Sequence, residues 1–356
     1  MTAKQAATLL VATQLGIGIQ VLPAAVVASG GLDGWISVVI VGLFLLIAVR
    51  VIMTLGKRFN NQSILDISTS VCGKYIAFIV NIILLLGLIF LAIGNFEMFL
   101  AGVGIWFFRS TPTWILAVYL IIPSFYLALK GLKNICRFNF LLYIIIPLIL
   151  FLIILNLRDF RITSLLPIAE DGFLSIFKAV PSSLFAFVGF ETLAFINPYI
   201  KNPGEMTRRA SLSLMITTLL FTLIMLASIG IFGEALVFKR FNSLLGLARL
   251  IRLPVLERID LYFIAAWIIG MNLVINTYLF LIYDSAQKIF QFKSKLIPMA
   301  VIAVLIIIVV SLTDDNILIL TLTNISGFVS IFIGFLIPLI FLVIAVIRGK
   351  KGGGSV

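Results

Sequence analysis

The sequence predicts an all-α polytopic membrane protein with ten transmembrane helices in one transmembrane domain, residues 1–356. Hydrophobic residues make up 62% of the chain and charged residues 11%, and the mean hydropathy is +1.24. This composition does not suit a water-soluble domain of 356 residues. The apolar residues also form long unbroken runs, whereas an outer-membrane barrel shows strands of alternating polarity. Each crossing needs roughly 20 apolar residues, so about ten helices fit.

Ten apolar segments follow one another along the chain, each long enough for a membrane helix. They cover residues 5–29, 33–55, 75–106, 112–130, 138–156, 173–200, 210–232, 260–284, 296–313 and 320–347. Lys4 leads directly into the first segment without a cleavable signal pattern, so we expect this segment to remain as a helix.

The charged connections between the segments predict the orientation. With the N-terminus inside, the cytoplasmic side receives most of the 26 Lys and Arg residues and only three of the 14 acids, Asp66, Glu205 and Asp284. Such an excess of basic residues is typical of cytoplasmic loops. We therefore expect both termini, including a short tail at 348–356, to be cytoplasmic. The net charge of +12 is attributed to these loops, so the lipid bilayer is an expected partner and nucleic acid is not.

The residue types present argue against an enzyme. The chain has no histidine, which is the commonest metal ligand and general base. The two cysteines, Cys72 and Cys136, fall in or beside cytoplasmic connections, where thiols stay reduced. A glycine-rich phosphate loop is also missing from the sequence. We expect no catalytic residues, no metal and no cofactor.

The first apolar segment contains the stretch "QLGIGIQVLP" at residues 14–23. Glycine leaves the backbone uncovered, and proline removes a hydrogen-bond donor, so the pattern predicts a break in the helix. Freed backbone groups are tolerated in a membrane only where they are buried in protein or line a polar cavity. Close packing through small residues is the alternative explanation for the glycines. The candidate ligand-binding residues here are Gly16, Ile17, Gly18 and Gln20.

The sixth segment repeats this pattern in "SSLFAFVGFETLAFINPY" at residues 182–199. Two interrupted helices, first and sixth of ten, predict a five-plus-five inverted repeat with a ligand site at the midplane. Repeat one covers about 1–157 and repeat two about 173–348. The candidate ligand-binding residues of this second break are Phe187, Gly189, Phe190 and Glu191.

Polar residues at membrane depth are further candidates, because ionisable groups are costly there. Glu97 in the third segment and Glu191 are candidates for proton or ion coupling. Glu97 could instead be a structural group near the outer interface that neighbouring helices satisfy, and Glu191 could instead bond to the unwound backbone. Asn272 and Asn276 lie four residues apart on one face of the eighth segment, as ligand groups or as bonds between helices.

The connection at residues 233–258 reads as an amphipathic helix that rests on the lipid interface, covers the site as a lid or docks a partner subunit. Its apolar face is formed by Leu244, Leu247, Ala248 and Ile251. Its basic face is formed by Arg249 and Arg252.

Several of these stretches resemble a known family. "GIGIQVLP" at 16–23 and "FAFVGFETLAFINPYIKNPGEMTRRA" at 185–210 are similar to the first and sixth helices of permeases of the amino acid–polyamine–organocation superfamily. "ASGGLDGWISVVI" at 28–40 and "NSLLGLARLIRLPVLERIDLYFIAAW" at 242–267 resemble the spore germination permeases, the GerAB-type B subunits of endospore germinant receptors. The resemblance covers nearly the whole chain, and the "ERID…W" stretch at 257–267 is its most particular part.

The resemblance implies a LeuT-type fold and a subunit of the spore inner membrane that binds a germinant, usually an amino acid. It also implies A and C partner subunits, and unwound segments at 16–18 and 187–190 that hold the ligand's amino and carboxylate groups. The fifth segment has no lysine, although proton-coupled permeases often have one there. A germinant-sensing subunit is therefore our first hypothesis, and a proton-coupled amino-acid transporter is the alternative.

Overall fold

The computed structural model describes residues 1–16, 18–108, 110–167, 172–201, 203–239, 242–251, 258–313 and 316–352. Throughout these ranges the regular structure is helical, and they contain no β-strand. The expectation of an all-α protein is therefore confirmed.

The first half of the chain contains eight α-helices within the described ranges, separated by short turns. They are α1 (Ala3–Gln14), α2 (Gly18–Gly30), α3 (Gly34–Arg58), α4 (Ile64–Cys72), α5 (Lys74–Trp106), α6 (Thr113–Leu129), α7 (Leu132–Phe138) and α8 (Leu142–Leu155). Short 3-10 helices lie at Gly31–Asp33, Asn139–Leu141, Leu157–Asp159 and Ile162–Leu165.

The second half contains ten more α-helices within those ranges. They are α9 (Phe173–Lys178), α10 (Val180–Ala186), α11 (Thr192–Ile196), α12 (Met206–Phe232), α13 (Glu234–Lys239), α14 (Ser243–Leu250), α15 (Ile259–Phe290), α16 (Leu296–Leu312), α17 (Asn316–Ile331) and α18 (Ile337–Ile347). Two 3-10 helices lie at Asn197–Tyr199 and Pro203–Glu205, and a π-helix at Phe332–Leu336 joins α17 to α18.

Each of the ten predicted apolar segments coincides with one of these helices or with a consecutive set of them. Six helical stretches of the described chain are long and apolar enough to cross a membrane, and three shorter apolar helices accompany them. The protein is therefore a multi-pass helical membrane protein. The count of ten crossings stays a prediction.

The long helices pack in pairs that are five segments apart. α3, from the second segment, lies against α12, from the seventh; α5 lies against α15, and α6 against α16. α2, from the first segment, packs on α10, from the sixth. This pairing brings the two interrupted segments together inside the bundle.

The two chain ends lie at the same end of the bundle, where bonds between side chains and backbone connect them. Tyr199 is central, because its carbonyl accepts a bond from the Met1 amino group at 2.7 Å and its hydroxyl donates to Asp284 at 2.5 Å. At the same end, the Lys288 ammonium lies 3.0 Å from an Asp66 oxygen. The Lys350 ammonium donates to the Ser70 carbonyl at 2.8 Å. The side of the membrane that this end faces stays a prediction.

The short helix α4 at this end begins at a capping box. The Ser63 hydroxyl accepts from the Asp66 amide, and the Asp66 side chain accepts from the Ser63 amide. Such reciprocal bonds satisfy two of the free N–H groups at a helix start. The helix ends at Cys72 and is followed by Gly73, whose φ of +81° is readily adopted by glycine.

Candidate functional site

The first segment is broken where its glycines predict a break. α1 ends at Gln14, Leu15 and Gly16 form a bend, and α2 begins at Gly18. The prediction of an interrupted first helix is confirmed. Ile17, a candidate ligand-binding residue, lies outside the described residues.

The sixth segment is broken in the same manner. α10 ends at Ala186, residues 187–191 form turns, and α11 begins at Thr192. Gly189 has a φ of +119°, a backbone conformation that residues with a Cβ rarely adopt. The Phe187 ring packs edge-on against Phe221 of α12, with the ring centroids 5.0 Å apart. The prediction of a second break is confirmed, and both of its flanking phenylalanines are buried.

The two breaks touch each other through their backbones. A Cβ atom added to Gly18 would lie 2.8 Å from the Cα of Ala186, at the end of α10. One added to Gly189 would lie 2.7 Å from the carbonyl carbon of Thr13, near the end of α1. Each break therefore places a glycine against the helix that ends at the other break. The small-residue packing that was the alternative explanation is present together with the unwinding.

Side chains from α5 and α15 lie beside the first break. The Asn95 Oδ1 lies 3.2 Å, and a Val274 methyl 3.5 Å, from the position of a Cβ on Gly16. Asn95 is buried, and its amide nitrogen donates to the Leu91 carbonyl at 3.0 Å. Sequence reasoning missed Asn95, although it stands two residues before Glu97. Its position in an apolar stretch was the available signal.

Glu191 joins three helical segments at the second break. One carboxylate oxygen accepts from the Tyr278 hydroxyl of α15 at 2.5 Å. The other accepts from the Ser330 hydroxyl of α17 at 2.5 Å and from the Gly189 amide at 2.9 Å. Glu191 is fully buried, and Gly334 of the π-helix leaves room for its Cβ. Of the two roles considered for Glu191, bonding to the unwound backbone is present. A role in proton coupling stays a prediction.

Glu97 lies apart from the two breaks. Its carboxylate is buried beside Thr313, just after the end of α16. Asn95 faces the first break, and residues two apart on a helix point to nearly opposite sides, so Glu97 points away from it. Its role in proton or ion coupling stays a prediction.

Asn272 and Asn276 line a different cavity, between α15, α6 and the end of α7. Val274 faces the first break from the same helix, so the two asparagines point to the other side of α15. Asn272 accepts a bond from Ser124 of α6 at 2.8 Å, which is the helix-to-helix role considered for it. Binding of a ligand by these residues stays a prediction.

Gln20 connects α2 to the segment that follows α12. Its side-chain oxygen accepts from Asn242, whose own oxygen caps α14 through the Leu245 amide. The Gln20 amide nitrogen is buried and has no hydrogen-bond partner among the described residues.

The described part of the predicted amphipathic connection, residues 233–239, 242–251 and 258, contains two helices, α13 and α14, instead of one. Leu244, Leu247 and Ala248 of α14 are fully buried, and this helix packs on α2, α8, α12 and α15. α14 therefore covers the bundle beside the first break and does not rest on lipid alone. Arg252 lies outside the described residues.

Within the described ranges, no three His, Cys, Asp or Glu side chains are grouped so that they could hold a metal ion. The polar groups beside the breaks are amides, hydroxyls and backbone groups together with one carboxylate. They are suited to hydrogen bonding with a small polar molecule.

Two interrupted helices that meet inside an apolar bundle are typical of membrane permeases. The family model described as "Spore germination protein" matches residues 1–318. The chain belongs to the family of spore germination proteins, as the resemblance predicted.

Several relatives share most of this chain. The chain is 26% identical over 340 residues to spore germination protein GerQB of Bacillus cereus, covering 94% of this chain and 93% of that protein. It is 23% identical to spore germination protein A2 of Bacillus subtilis, over 95% of this chain and 93% of the relative. With spore germination protein B2 of the same species it shares 23% identity, over 75% and 73% of the two chains.

Proposed function

We propose that this chain is the membrane-embedded B subunit of a nutrient germinant receptor, which binds a small molecule, an amino acid, between its two broken helices and signals germination. The observation that carries the proposal is the meeting of the two breaks, at Gly18 against Ala186 and at Gly189 against Thr13. Membership of the spore germination family supports the biological setting.

The ends of the broken helices suit the two charges of an amino acid. The start of α2 presents backbone N–H groups and the positive end of a helix dipole, which favours a carboxylate. The end of α1 presents carbonyl groups and the negative end, which favours an ammonium. Asn95 adds a polar group beside the break. Opening the contact between the breaks would expose these groups to the ligand.

The helix pairing supports a five-plus-five inverted repeat of the LeuT type. Segments two to four lie against segments seven to nine, and the two broken segments lie against each other. The short helices α4 and α14 occupy corresponding places, each between the second and third segments of a repeat. α4 packs on α5, α11 and α18, and α14 packs on the counterparts of these helices, α15, α2 and α8. Such matching contacts are expected of two repeats with the same fold.

In this proposal the receptor works in the spore inner membrane with an A subunit and a lipoprotein C subunit. The alternative is a proton-coupled amino-acid transporter on the same fold. Glu191 supports this alternative, because it is buried and because ionisable groups at membrane depth serve as proton carriers. The two functions differ in one measurable respect, since a transporter accumulates its substrate and a sensor only binds it.

Binding and uptake of a labelled amino-acid panel in proteoliposomes test both functions. Gly18→Leu places a side chain against the α10 backbone, whereas Gly104→Leu is a control whose Cβ meets no described atom within 4 Å. Saturable binding without accumulation, lost in Gly18→Leu and kept in Gly104→Leu, supports the sensor. Accumulation driven by a pH gradient and abolished by Glu191→Gln would replace it with the transporter. Equal binding by both glycine variants would reject a site at the breaks.

A further inference from the structure

A groove with a basic end lies between α1, α8 and α12. It has a volume of about 250 Å³. Lys4 and Arg209 line it together with apolar residues that include Val11, Ile146 and Ile216. None of its described lining residues is an acid, so the groove carries a net positive charge.

The three helices of the groove begin at the same end of the bundle. The Cys136 thiol, in the short helix before α8, lies 3.4 Å from the Met1 sulfur at the start of α1. The Ser213 hydroxyl of α12 donates to the Ala7 carbonyl of α1 at 2.9 Å. The first turns of α1, α8 and α12 are therefore neighbours.

The polarity of the groove changes along the helix axes. Lys4 stands directly before the predicted membrane segment 5–29, and Arg209 directly before the segment 210–232. Val11 and Ile216 follow these two cations seven residues later, which is about 10 Å deeper along a helix. The groove therefore has its cations at the level of the lipid head groups and its apolar residues at the level of the hydrocarbon.

The basic end has hydrogen-bond donors to spare. The Lys4 ammonium and the Tyr143 hydroxyl make no hydrogen bond or ion pair with any described residue. Arg209 bonds to Glu205 through two of its three nitrogens, at 2.9 and 2.7 Å, and its Nη1 has no partner in the described chain. Glu205 does not line the groove, and its side chain is 63% exposed. Such an exposed ion pair contributes little, so Arg209 can also bind an anion.

The apolar part of the groove is open to lipid. Tyr143 is 63% and Leu212 56% exposed, and both lie within predicted membrane segments. An acyl chain can therefore enter the groove from the side. The charge at its end distinguishes between lipids, because a zwitterionic head group would bring its own cation close to Lys4 and Arg209. Basic pockets between membrane helices are typical sites for anionic head groups.

We propose that this groove binds a phospholipid with a net negative head group, whose phosphate accepts hydrogen bonds from Lys4 and Arg209 and whose acyl chain lies along Val11 and Ile216. The lipid would bridge α1 and α12 at the start of the helix that leads to the first break. This site is distinct from the proposed amino-acid site and does not depend on it.

Photolabelling of the full-length chain in phosphatidylcholine nanodiscs tests the proposal. The probe is a phosphatidylglycerol with a diazirine in its acyl chain, and phosphatidylcholine with the same chain is its control. Only the phosphatidylglycerol probe should label α1, α8 and α12 saturably, and unlabelled phosphatidylglycerol should compete. Lys4→Gln and Arg209→Gln should each weaken this labelling about fivefold, as expected for loss of one basic residue at a lipid surface.

Two lysine variants separate the groove from general charge and from misfolding. Lys74→Gln removes an exposed lysine that stands directly before the third segment and outside the groove, so labelling should be unchanged. Lys4→Arg keeps the cation and should keep the labelling.

Four results would overturn the proposal. They are equal saturable labelling by both probes, an equal loss in Lys74→Gln and Lys4→Gln, an equal loss in Lys4→Arg and Lys4→Gln, and unchanged labelling when Lys4→Gln and Arg209→Gln are combined. Displacement of the probe by inorganic phosphate would assign the basic end to a free anion instead of a lipid.

Discussion

Replacing Gly189 by alanine should lower the free energy of unfolding more than replacing a glycine that has only an unusual φ or only a close neighbour. The φ of +119° disfavours a side chain, and a left-handed backbone costs about 1–2 kcal/mol for a residue with a Cβ. The added Cβ would also lie 2.7 Å from the carbonyl carbon of Thr13. Overpacking of this kind costs about 1–3 kcal/mol. The sum is about 2–5 kcal/mol.

Two other glycines separate these contributions. Gly131 has a φ of +87° and no described atom within 4 Å of an added Cβ, so Gly131→Ala should cost only the backbone contribution of about 1–2 kcal/mol. Gly18→Ala should cost only the overpacking term of about 1–3 kcal/mol, because its Cβ would lie 2.8 Å from the Ala186 Cα.

The assay is thermal unfolding of the purified chain in detergent, followed by the fluorescence of its four tryptophans, which include the buried Trp267. The apparent melting temperature should fall furthest in Gly189→Ala. If Gly189→Ala is no less stable than Gly131→Ala, the two breaks are not packed against each other as described, and the reasoning is refuted.

Three further predictions concern other contacts. Tyr278→Phe removes one of three bonds to the Glu191 carboxylate and should cost about 1.5–3 kcal/mol, measured by the same thermal assay. Asn242→Ala removes the α14 cap and a bond to Gln20; the cap alone is worth about 1 kcal/mol, so amide hydrogen exchange in α14 should accelerate about fivefold or more. Burial raises the pKa of the Cys72 thiol, so its thiolate fraction, and with it maleimide labelling, should rise close to tenfold between about pH 7.5 and 8.5.

Each of these predictions has a control and an outcome that contradicts it. Tyr262→Phe, at an exposed tyrosine, should leave stability unchanged, and an equal loss in both tyrosine variants would remove the special role of Glu191. Faster exchange throughout the bundle in Asn242→Ala would argue against a local cap. Labelling of Cys72 is measured in a Cys136→Ala background, and a plateau below pH 8 would contradict a raised pKa.

The membrane helices were predictable because each depends on a long apolar run, which is a local property of the sequence. The short helix α4 was not predicted, although its capping box at Ser63 and Asp66 is visible in the sequence. Its apolar side covers barely two turns, and α4 is held by packing on α5. The division of the 233–258 connection into α13 and α14 was missed for a similar reason.

The positions of the breaks were predictable because glycines lie at both of them, at Gly16, Gly18 and Gly189, and glycine leaves the backbone uncovered. The prolines did not mark the breaks, since Pro23 lies inside α2 and Pro198 follows α11. The partners of Glu191 were not, since Tyr278 and Ser330 are 87 and 139 residues away. The rotation of α15 about its axis was also hidden. This helix buries residues on nearly all sides, so it has no single polar stripe, and Val274 faces the break while Asn276 faces the other way.

The contact between the breaks has a consequence for the genetics of the protein. The obstacles that a side chain at Gly18 would meet are the Cα and O of Ala186 and the O of Phe185, which are backbone atoms. At Gly189 they include the carbonyl carbon and oxygen of Thr13. Every residue type keeps these atoms, so shrinking a neighbouring side chain opens no space at Gly18 and leaves the carbonyl obstacle at Gly189. A suppressor screen on either glycine should therefore yield revertants to glycine and no second-site rescue at residues 13, 185 or 186.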